Sequence, residues 1–505
     1  MKPSTEQTAI VIGAGVAGLA TAIRMAASGI GTAVYERASG PGGKLKEEHT
    51  KGYRFDLGPS LFTMPELVME LDRLTRSSAH VQADKLPEVF RYQTLDRSTH
   101  YFWEDATRIV AWADRKAFKE AVLQAVEVEP HALDHHLNHS QTIYEATRKL
   151  FLEQSLHEWK RFSWPAFSKA IPHLHRLPWF GSLHRLNRKR LHEPHLVQLF
   201  DRYATYNGSD PHRAPAMLHA IPHLEHGIGT FFPEGGMMGI VHHLFALAQS
   251  LGVAFHFDQS VQKIVHRNGH VKGIVVELDS RPHHVQADIV VSNADIHPTY
   301  RKLLPDIKAP EHILKQERSS SGVIFYWGVK GERKELHLHN ILFSKNYRQE
   351  FQTIDALGHP GNDPTVYINI TSKLQPSDAP SGCENWFVMV NVSADPETID
   401  AEMPTIRRAV LDKISRTLGH SISNLIETES ILTPRDIENR TSSWRGALYG
   451  ASSNNALAAF LRHRNRSKQV KGLYFCGGSV HPGGGIPLCL LSARIASELI
   501  QTTTP

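Results

Sequence analysis

Residues 8–36 read TAIVIGAGVAGLATAIRMAASGIGTAVYE and predict a strand, a tight turn, a helix and a second strand. Within this stretch Gly13, Gly15 and Gly18 form a G-x-G-x-x-G pattern. In such a motif the first glycine permits the turn, the second lets backbone approach a pyrophosphate, and the third lets the helix pack closely on the sheet. Glu36 ends the second strand, where a carboxylate can accept a hydrogen bond from a ribose hydroxyl. The stretch predicts an α/β domain that binds a dinucleotide, and the alternative is a packing turn without a ligand.

A second glycine-rich region follows, where a typical nicotinamide-binding domain would begin another crossover helix. Its pieces are Gly42, Gly43 and Lys44 in GPGGK, and Gly58, Pro59 and Ser60 in DLGPS. The positive charge of Lys44 suits a phosphate group. This region therefore indicates a phosphate-binding site that is built from more than one glycine turn.

The stretch GGSVHPGGGIPLCLLSA at residues 477–493 is dense in glycine and proline. Helical periodicity resumes near Pro487, and proline in a first helical turn costs no hydrogen bond. The positive end of that helix dipole would point at whatever the glycines surround. Alone, the stretch predicts either a turn that ends a strand or backbone that contacts a ligand.

The composition is that of a folded protein with more than one core: 505 residues, three separated cysteines and a formal charge of +5. The small net charge argues against nucleic acid, and the cysteines have neither disulfide nor zinc spacing. His135 and His139 are spaced like helical metal ligands, but we interpret them as a solvated face and predict no metal site. No apolar run is long enough for a bilayer-spanning helix, and MKPSTEQ lacks a signal pattern, so we expect a cytoplasmic location.

Residues 159–192 read WKRFSWPAFSKAIPHLHRLPWFGSLHRLNRKRLH and interleave aromatic rings with eight Lys or Arg, without Asp or Glu. Rings at headgroup depth and cations near anionic lipid favour a bilayer surface. A solvated basic face and a nucleic-acid site are the alternatives. We therefore predict a peripheral membrane association through this segment and no nucleic-acid partner.

Together these stretches resemble the FAD-containing amine oxidase and carotenoid desaturase superfamily. FDLGPSLFTMP, IPHLEHGIGTFFPEGGM, TSSWRGALYGASSN and GGSVHPGGGIPLCLLSA are similar to bacterial-type phytoene and carotenoid desaturases, over nearly the whole chain. GPSLFTMP and GGSVHPGGGIPLC most resemble the branch of 1-hydroxycarotenoid 3,4-desaturases. The resemblance implies FAD as cofactor, bound through Gly13, Gly15, Gly18, Glu36, Gly42, Gly43, Lys44, Gly58, Pro59, Ser60, Val261, Gly478, Ser479, Ile486 and Pro487.

The resemblance also implies a domain organisation. A Rossmann-like FAD-binding domain would be built from the discontinuous segments 1–80, 225–300 and 430–505. Residues 81–224 and 301–429 would form an inserted α+β domain that binds a polyene, and the membrane-associating helical region 159–192 would belong to it. Both ends of the chain would then close one FAD site.

The implied reaction introduces C=C bonds into an acyclic, 1-hydroxylated carotenoid, with hydride transfer to flavin and loss of a proton. The sequence offers Glu225, in HLEHG, as a candidate base, and its structural alternative is an ion pair with His223, His226 or a nearby arginine. Other functions stay open: a phytoene desaturase, a flavin-dependent carotene isomerase, an amine oxidase, or a prenyl-lipid escort protein without catalysis.

Overall fold

A five-stranded parallel sheet lies at the centre of the half of the molecule that contains the first glycine-rich loop. The computed structural model describes residues 7–155, 157–158, 177–278, 280–455 and 462–502. The strand order in this sheet is Leu473–Phe475, Ile289–Ser292, Thr8–Ile12, Gly31–Tyr35 and Ala254–His256. The strand Thr8–Ile12 runs into the helix Val16–Ala27 and then the strand Gly31–Tyr35, which confirms the order predicted for residues 8–36.

Both faces of the parallel sheet are covered, as its continuous apolar strands require. Ala9 and Val11 point to one face, where they share a core with the helices. Those helices are Val16–Ala27, Glu66–Arg76, Met237–Ser250 and Ile486–Gln501. Ile10 and Ile12 point to the other face, where a three-stranded antiparallel sheet packs. Its strands are Val261–Arg267, His270–Leu278 and Arg281–Gln286.

A second, seven-stranded sheet lies against this half. Its order is Ile426–Leu432, Ser321–Lys330, Cys383–Val392, Val366–Ile370, His339–Leu342, Arg97–Phe102 and Arg108–Trp112. Its neighbouring strands are antiparallel, except that His339–Leu342 and Arg97–Phe102 run parallel. The helix Pro396–Leu418 buries one face of the sheet. The opposite face packs on the strand Tyr53–Leu57, which pairs with Lys46–Thr50 and follows the second glycine loop.

Further helices surround the seven-stranded sheet. They are Arg115–Ala125, Pro130–Thr147, Leu183–Leu191, Pro194–Asp201, Tyr347–Leu357 and Pro434–Thr441. A short strand pair, Tyr92–Thr94 with Phe231–Pro233, lies in the chain between the two sheets. Within the described ranges, no helix has both the length and the apolar character needed to cross a membrane. Most of the predicted membrane segment, residues 159–176, lies outside the described residues.

Candidate active site

The first glycine loop has the geometry that its motif predicts. Gly13 has a φ of 98°, a left-handed conformation that suits glycine, and its N–H donates to the carbonyl of Tyr35 at 2.8 Å. A Cβ at Gly18 would overlap the carbonyl oxygen of Gly13, so only glycine lets the helix start this close to the strand. A Cβ at Gly43 would lie 3.2 Å from the Cα of Gly15. The two glycine loops therefore meet backbone to backbone.

Glu36 holds the first glycine loop in place. Its carboxylate accepts hydrogen bonds from Ala14 N at 2.8 Å and from Ala38 N at 2.9 Å. Its backbone carbonyl accepts from Gln259 N at 2.9 Å, which brings the start of the strand that contains Val261 to the same edge. The structure thus gathers Glu36 and Val261 beside the loop, and their contacts with a nucleotide stay a prediction.

Asn293 is a site residue that the sequence reasoning missed. It directly follows the buried strand Ile289–Ser292, and its Oδ1 lies 2.9 Å from where a Cβ of Gly15 would stand. Its Nδ2 donates to the carbonyl of Cys476 at 3.3 Å, just before the C-terminal glycines. One side chain therefore links the two ends of the chain. A polar residue at the carboxyl end of a parallel strand was the available signal.

The C-terminal loop ends in open space at a helix N-terminus. Gly485 has a φ of 98°, and a Cβ there would meet no atom within 4 Å. The helix starts at Ile486, with Pro487 in its first turn, as the periodicity predicts. Gly478 packs near Gly484, and the hydroxyl of Ser479 accepts a hydrogen bond from Ile296 N at 3.0 Å. Ser479 thus fastens this loop to the segment after Asn293.

Two cations lie beneath the C-terminal loop. Lys44 Nζ donates to the carbonyl of Leu448 at 2.6 Å, and burial lowers its pKa although Asp295 opposes that shift. Arg462 is 3% exposed and donates to the carbonyl of Tyr449 at 2.7 Å, and burial lowers its pKa to about 10. Lys44 therefore holds the segment at Leu448, and Arg462 joins the neighbouring Tyr449 to the C-terminal loop through the carbonyl of Gly478. A direct phosphate contact by Lys44 stays a prediction.

The loop that contains Gly58, Pro59 and Ser60 faces the seven-stranded sheet. Gly58 has a φ of 101°, and a Cβ there would overlap the carbonyl oxygen of Lys44. Ser60 Oγ lies 2.7 Å from the hydroxyl oxygen of Tyr367, on the strand Val366–Ile370. This contact joins the glycine loops to the sheet that covers them.

Glu225 lies in a buried polar cluster on the side of the second sheet. Its Oε1 is 3.5 Å from Arg202 Nη2, and its Oε2 accepts from the Tyr203 hydroxyl at 3.0 Å. Arg202 also donates to the Tyr101 hydroxyl at 2.9 Å. Burial raises the pKa of Glu225, and Arg202 lowers it in opposition. The structure therefore shows the ion pair that was the structural alternative, while a role as base stays a prediction.

These glycine loops fit FAD. Gly15 and Gly43 carry no side chains, so their backbone is uncovered beside the N-terminus of the helix Val16–Ala27. A pyrophosphate would bind at this helix N-terminus. The open space at Gly485 leaves room at the second helix N-terminus for the flavin ring. We call the loops 13–18, 42–43 and 477–485 the glycine cradle. Among the described residues, no group of three or more His, Cys, Asp or Glu could hold a metal ion.

The chain matches the model of the flavin containing amine oxidoreductases over residues 16–501. A 1-hydroxycarotenoid 3,4-desaturase of Flavobacterium sp. (strain P99-3) is 48% identical, over 98% of this chain and 99% of that protein. A 4,4'-diapolycopene oxygenase of Methylomonas sp. is 29% identical, over 99% of each chain. A 4,4'-diaponeurosporene oxygenase of Staphylococcus aureus is 30% identical, over 97% of each chain.

Solved structures show the same fold at low sequence identity. An oxidoreductase from Methanosarcina mazei superposes with a TM-score of 0.65 at 17% identity, over 97% of this chain and 100% of that one. Cyclohexylamine oxidase from Brevibacterium oxydans gives a TM-score of 0.61 at 13% identity, over 98% and 99%. The chain therefore belongs to the flavin-containing amine oxidoreductase family, and within it to the carotenoid desaturase branch. It is an FAD-dependent oxidoreductase.

Proposed function

We propose that the protein is an FAD-dependent desaturase of an acyclic carotenoid that carries a hydroxyl at carbon 1, and that it forms the 3,4 double bond. The observation that carries this proposal is the 48% identity to a 1-hydroxycarotenoid 3,4-desaturase over nearly the full length of both proteins. Oxidised FAD, when bound, supplies the acceptor for the two electrons that desaturation releases. Its place in the cell would be carotenoid biosynthesis.

The sheet face above the glycine cradle supports a polyene substrate. Tyr367 and Met389 keep partial accessibility on this face, although the strand residues beside them are buried. Ile324 and Phe387 are buried on the same face, where they pack with the strand Tyr53–Leu57. The partly accessible side chains of Tyr367 and Met389 on a mainly apolar face, with Tyr367 next to the loop of Ser60, suit contact with a long hydrocarbon. We propose that residues 81–224 and 301–429 form this substrate domain, and that segments 1–80, 225–300 and 430–505 form the FAD domain.

The chain's own residues exclude water and orient the reactants. The cradle is closed by Asn293 and Arg462, which fix the C-terminal loop through the carbonyls that they contact. The proton that leaves the substrate needs an acceptor, and Glu225 stays our candidate as a buried carboxylate whose pKa is raised by burial while Arg202 opposes that shift.

We also propose that the protein works at the cytoplasmic membrane surface through residues 159–192. In the described part of this segment Phe180 is 94% exposed and Trp179 is 44% exposed. Arg185, Arg188 and Lys189 on the adjoining helix Leu183–Leu191 are also exposed. Exposed rings beside cations support a contact with anionic lipid, from which a polyene can be collected.

A substrate panel tests the function. The FAD-loaded protein is incubated with liposomes that contain phytoene, an unhydroxylated acyclic carotene or its 1-hydroxylated form, and each product is weighed by mass spectrometry. We expect the hydroxylated carotenoid to lose two hydrogens and to absorb further to the red. Conversion of phytoene alone would identify an early desaturase, and an unchanged mass with altered bond geometry would identify an isomerase.

The same panel tests a second function that the relatives favour. Two relatives at 29% and 30% identity are carotenoid oxygenases, over almost the whole chain. An oxygenase would add oxygen to the carotenoid, so the product mass would rise. We expect no such product from any of the three substrates.

Membrane association has its own test. Phe180→Glu places a charge at the most exposed ring, and Phe118→Leu changes a buried ring as a matched control. In sedimentation with anionic vesicles we expect the first variant to bind several-fold more weakly than wild type and the second to bind equally. Equal binding of all three proteins would contradict a membrane contact through this segment.

A further inference from the structure

A short chain of hydrogen bonds joins the loop of Gly58, Pro59 and Ser60 to the seven-stranded sheet. Ser60 Oγ lies 2.7 Å from the hydroxyl oxygen of Tyr367, and that hydroxyl lies 2.8 Å from His339 Nδ1. Ser60 comes two residues after Gly58, while Tyr367 and His339 stand on neighbouring strands. We call Ser60, Tyr367 and His339 the hydroxyl chain. It is the polar part of a face whose other residues are mainly apolar.

His339 Nδ1 faces two polar groups. The amide Nδ2 of Asn369 lies 3.1 Å from it, and the Tyr367 hydroxyl oxygen lies 2.8 Å from it. One lone pair cannot accept fully from both, so the ring either accepts from the Tyr367 hydroxyl or donates an Nδ1–H to it. Burial lowers the pKa of His339 to about 3, with Arg202 and His337 adding to the shift, so the ring is neutral.

In either tautomer the Tyr367 hydroxyl donates to one of its two neighbours and accepts from the other. This leaves its second lone pair without a donor among the described residues. Burial raises the pKa of Tyr367, so it remains a phenol at any physiological pH. Ser60 and Tyr367 are partly accessible, while His339 is 2% exposed. Of the two accessible members Tyr367 stands on the mainly apolar sheet face, so a ligand on that face would meet its lone pair.

The position of this lone pair matches the substrate that we propose. In a 1-hydroxylated carotenoid only one carbon separates the hydroxyl-bearing carbon from the 3,4 bond, so the hydroxyl must lie beside the reacting end. A hydroxyl buried in an apolar passage without a partner costs about 1–3 kcal/mol by mutational data. A hydrogen-bond acceptor next to the loop of Ser60 would offset this cost, and the hydroxyl chain provides one.

We infer that the Tyr367 hydroxyl, fixed by Ser60 and His339, accepts the hydrogen bond of the substrate's hydroxyl and thereby selects hydroxylated over unhydroxylated acyclic carotenoids. This inference rests on the proposed function. Tyr367 is then a specificity-determining residue, and Ser60 and His339 are positioning residues. The unhydroxylated substrate gains nothing from the free lone pair.

The test compares two carotenoids that differ only in the hydroxyl, with Tyr367→Phe and two matched variants. Tyr53→Phe removes a buried hydroxyl that donates to Glu427, and Tyr449→Phe removes the hydroxyl of a second tyrosine near the cradle. We measure kcat/KM for each carotenoid, and also each dissociation constant from the change in flavin absorbance. For Tyr367→Phe we expect both measures to weaken by at least about tenfold for the hydroxylated carotenoid. For the other carotenoid we expect almost no change, and Tyr53→Phe should preserve the wild-type preference.

Each other outcome has a defined meaning. An equal loss for both carotenoids would overturn the inference, because it would assign Tyr367 to folding or to the reaction itself. A selective loss in Tyr449→Phe instead would move the recognition to Tyr449 and overturn it also. If wild type converts neither carotenoid, the proposed function fails, and the binding measurement still decides: equal affinity of wild type for both would overturn the inference.

Discussion

The glycine cradle is made of backbone, whereas the sheet face opposite it is made of side chains. In the cradle a Cβ on Gly43 would lie only 3.2 Å from the Cα of Gly15, so the two loops meet through backbone. On the sheet face Tyr367, His339 and Arg202 supply hydroxyl, imidazole and guanidinium groups from separate strands and helices. One region therefore accommodates a cofactor that all members of the family share, and the other can change with the substrate.

The largest effect should come from filling the cradle. Gly18→Ala places a methyl group on the carbonyl oxygen of Gly13, so the helix must move away from the strand. We expect purified protein without bound flavin and with a lower Tm, measured by absorbance and thermal unfolding. Gly31→Ala is the control, since its Cβ would lie 3.8 Å from Gln7 O. A Gly18→Ala protein with a full complement of FAD would contradict the backbone account of the cradle.

The next effect concerns the buried pair on the substrate side. Arg202→Met leaves Glu225 buried without its cation, and breaking a buried pair in this way costs about 3–5 kcal/mol in the free energy of unfolding. Arg202→Met combined with Glu225→Gln should recover most of that loss, because neither charge is then buried alone. Urea unfolding of both variants measures the loss and the recovery in the free energy of unfolding. A single variant as stable as wild type would show that the pair contributes nothing to the fold.

The glycine cradle and the sheet face opposite it also differ in how far the sequence could predict them. Gly13, Gly15, Gly18 and the C-terminal glycines have local requirements, so their spacing alone predicts the turns and helix starts that the structure contains. The hydroxyl chain joins residues 60, 339 and 367, and no local pattern connects them until the sheet is formed. Arg462 was missed for the same reason, since it joins Tyr449 to Gly478 across the fold. Asn293, by contrast, had a local signal in its place directly after a buried parallel strand.

A smaller effect should follow from Glu36→Gln. The carboxylate accepts from Ala14 N and Ala38 N, and an amide would present a donor to one of these N–H groups. A lost hydrogen bond to a charged group corresponds to about 1.5–3 kcal/mol, so we expect FAD to bind at least about tenfold more weakly. Fluorescence titration of the FAD-free protein measures the affinity. Unchanged affinity would show that Glu36 does not organise the loop for the nucleotide.

The smallest effect is a pH dependence at the edge of the seven-stranded sheet. Burial acts to raise the pKa of Glu104, but hydrogen bonds from Lys413, Lys345 and Arg416 lower that pKa to about 2. Because the folded pKa lies below the ordinary value of about 4.3, this group stabilises the fold above that pH and its contribution disappears as pH falls towards 2.

Glu104→Gln tests this dependence directly. We expect the urea midpoint of the variant to be lower than that of wild type at pH 7, and the difference to shrink as the pH is lowered from about 4.3 towards 2. FAD affinity should be equal in both proteins, since Glu104 pairs with Lys413 on the helix Pro396–Leu418 and not with a residue of the cradle. A difference in midpoint that stays constant with pH would contradict the assignment.

An anaerobic single turnover tests most directly the claim that the protein is an FAD-dependent carotenoid desaturase. It requires the flavin in the cradle and the carotenoid at the sheet face to react with each other. FAD-loaded protein is mixed with an excess of 1-hydroxylated acyclic carotenoid in liposomes, and flavin absorbance and product are followed together. The account predicts that one new double bond forms for each flavin that is bleached, with loss of two hydrogens from the carotenoid. A product that forms without flavin bleaching, or flavin that stays oxidised with the hydroxylated substrate bound, would contradict it.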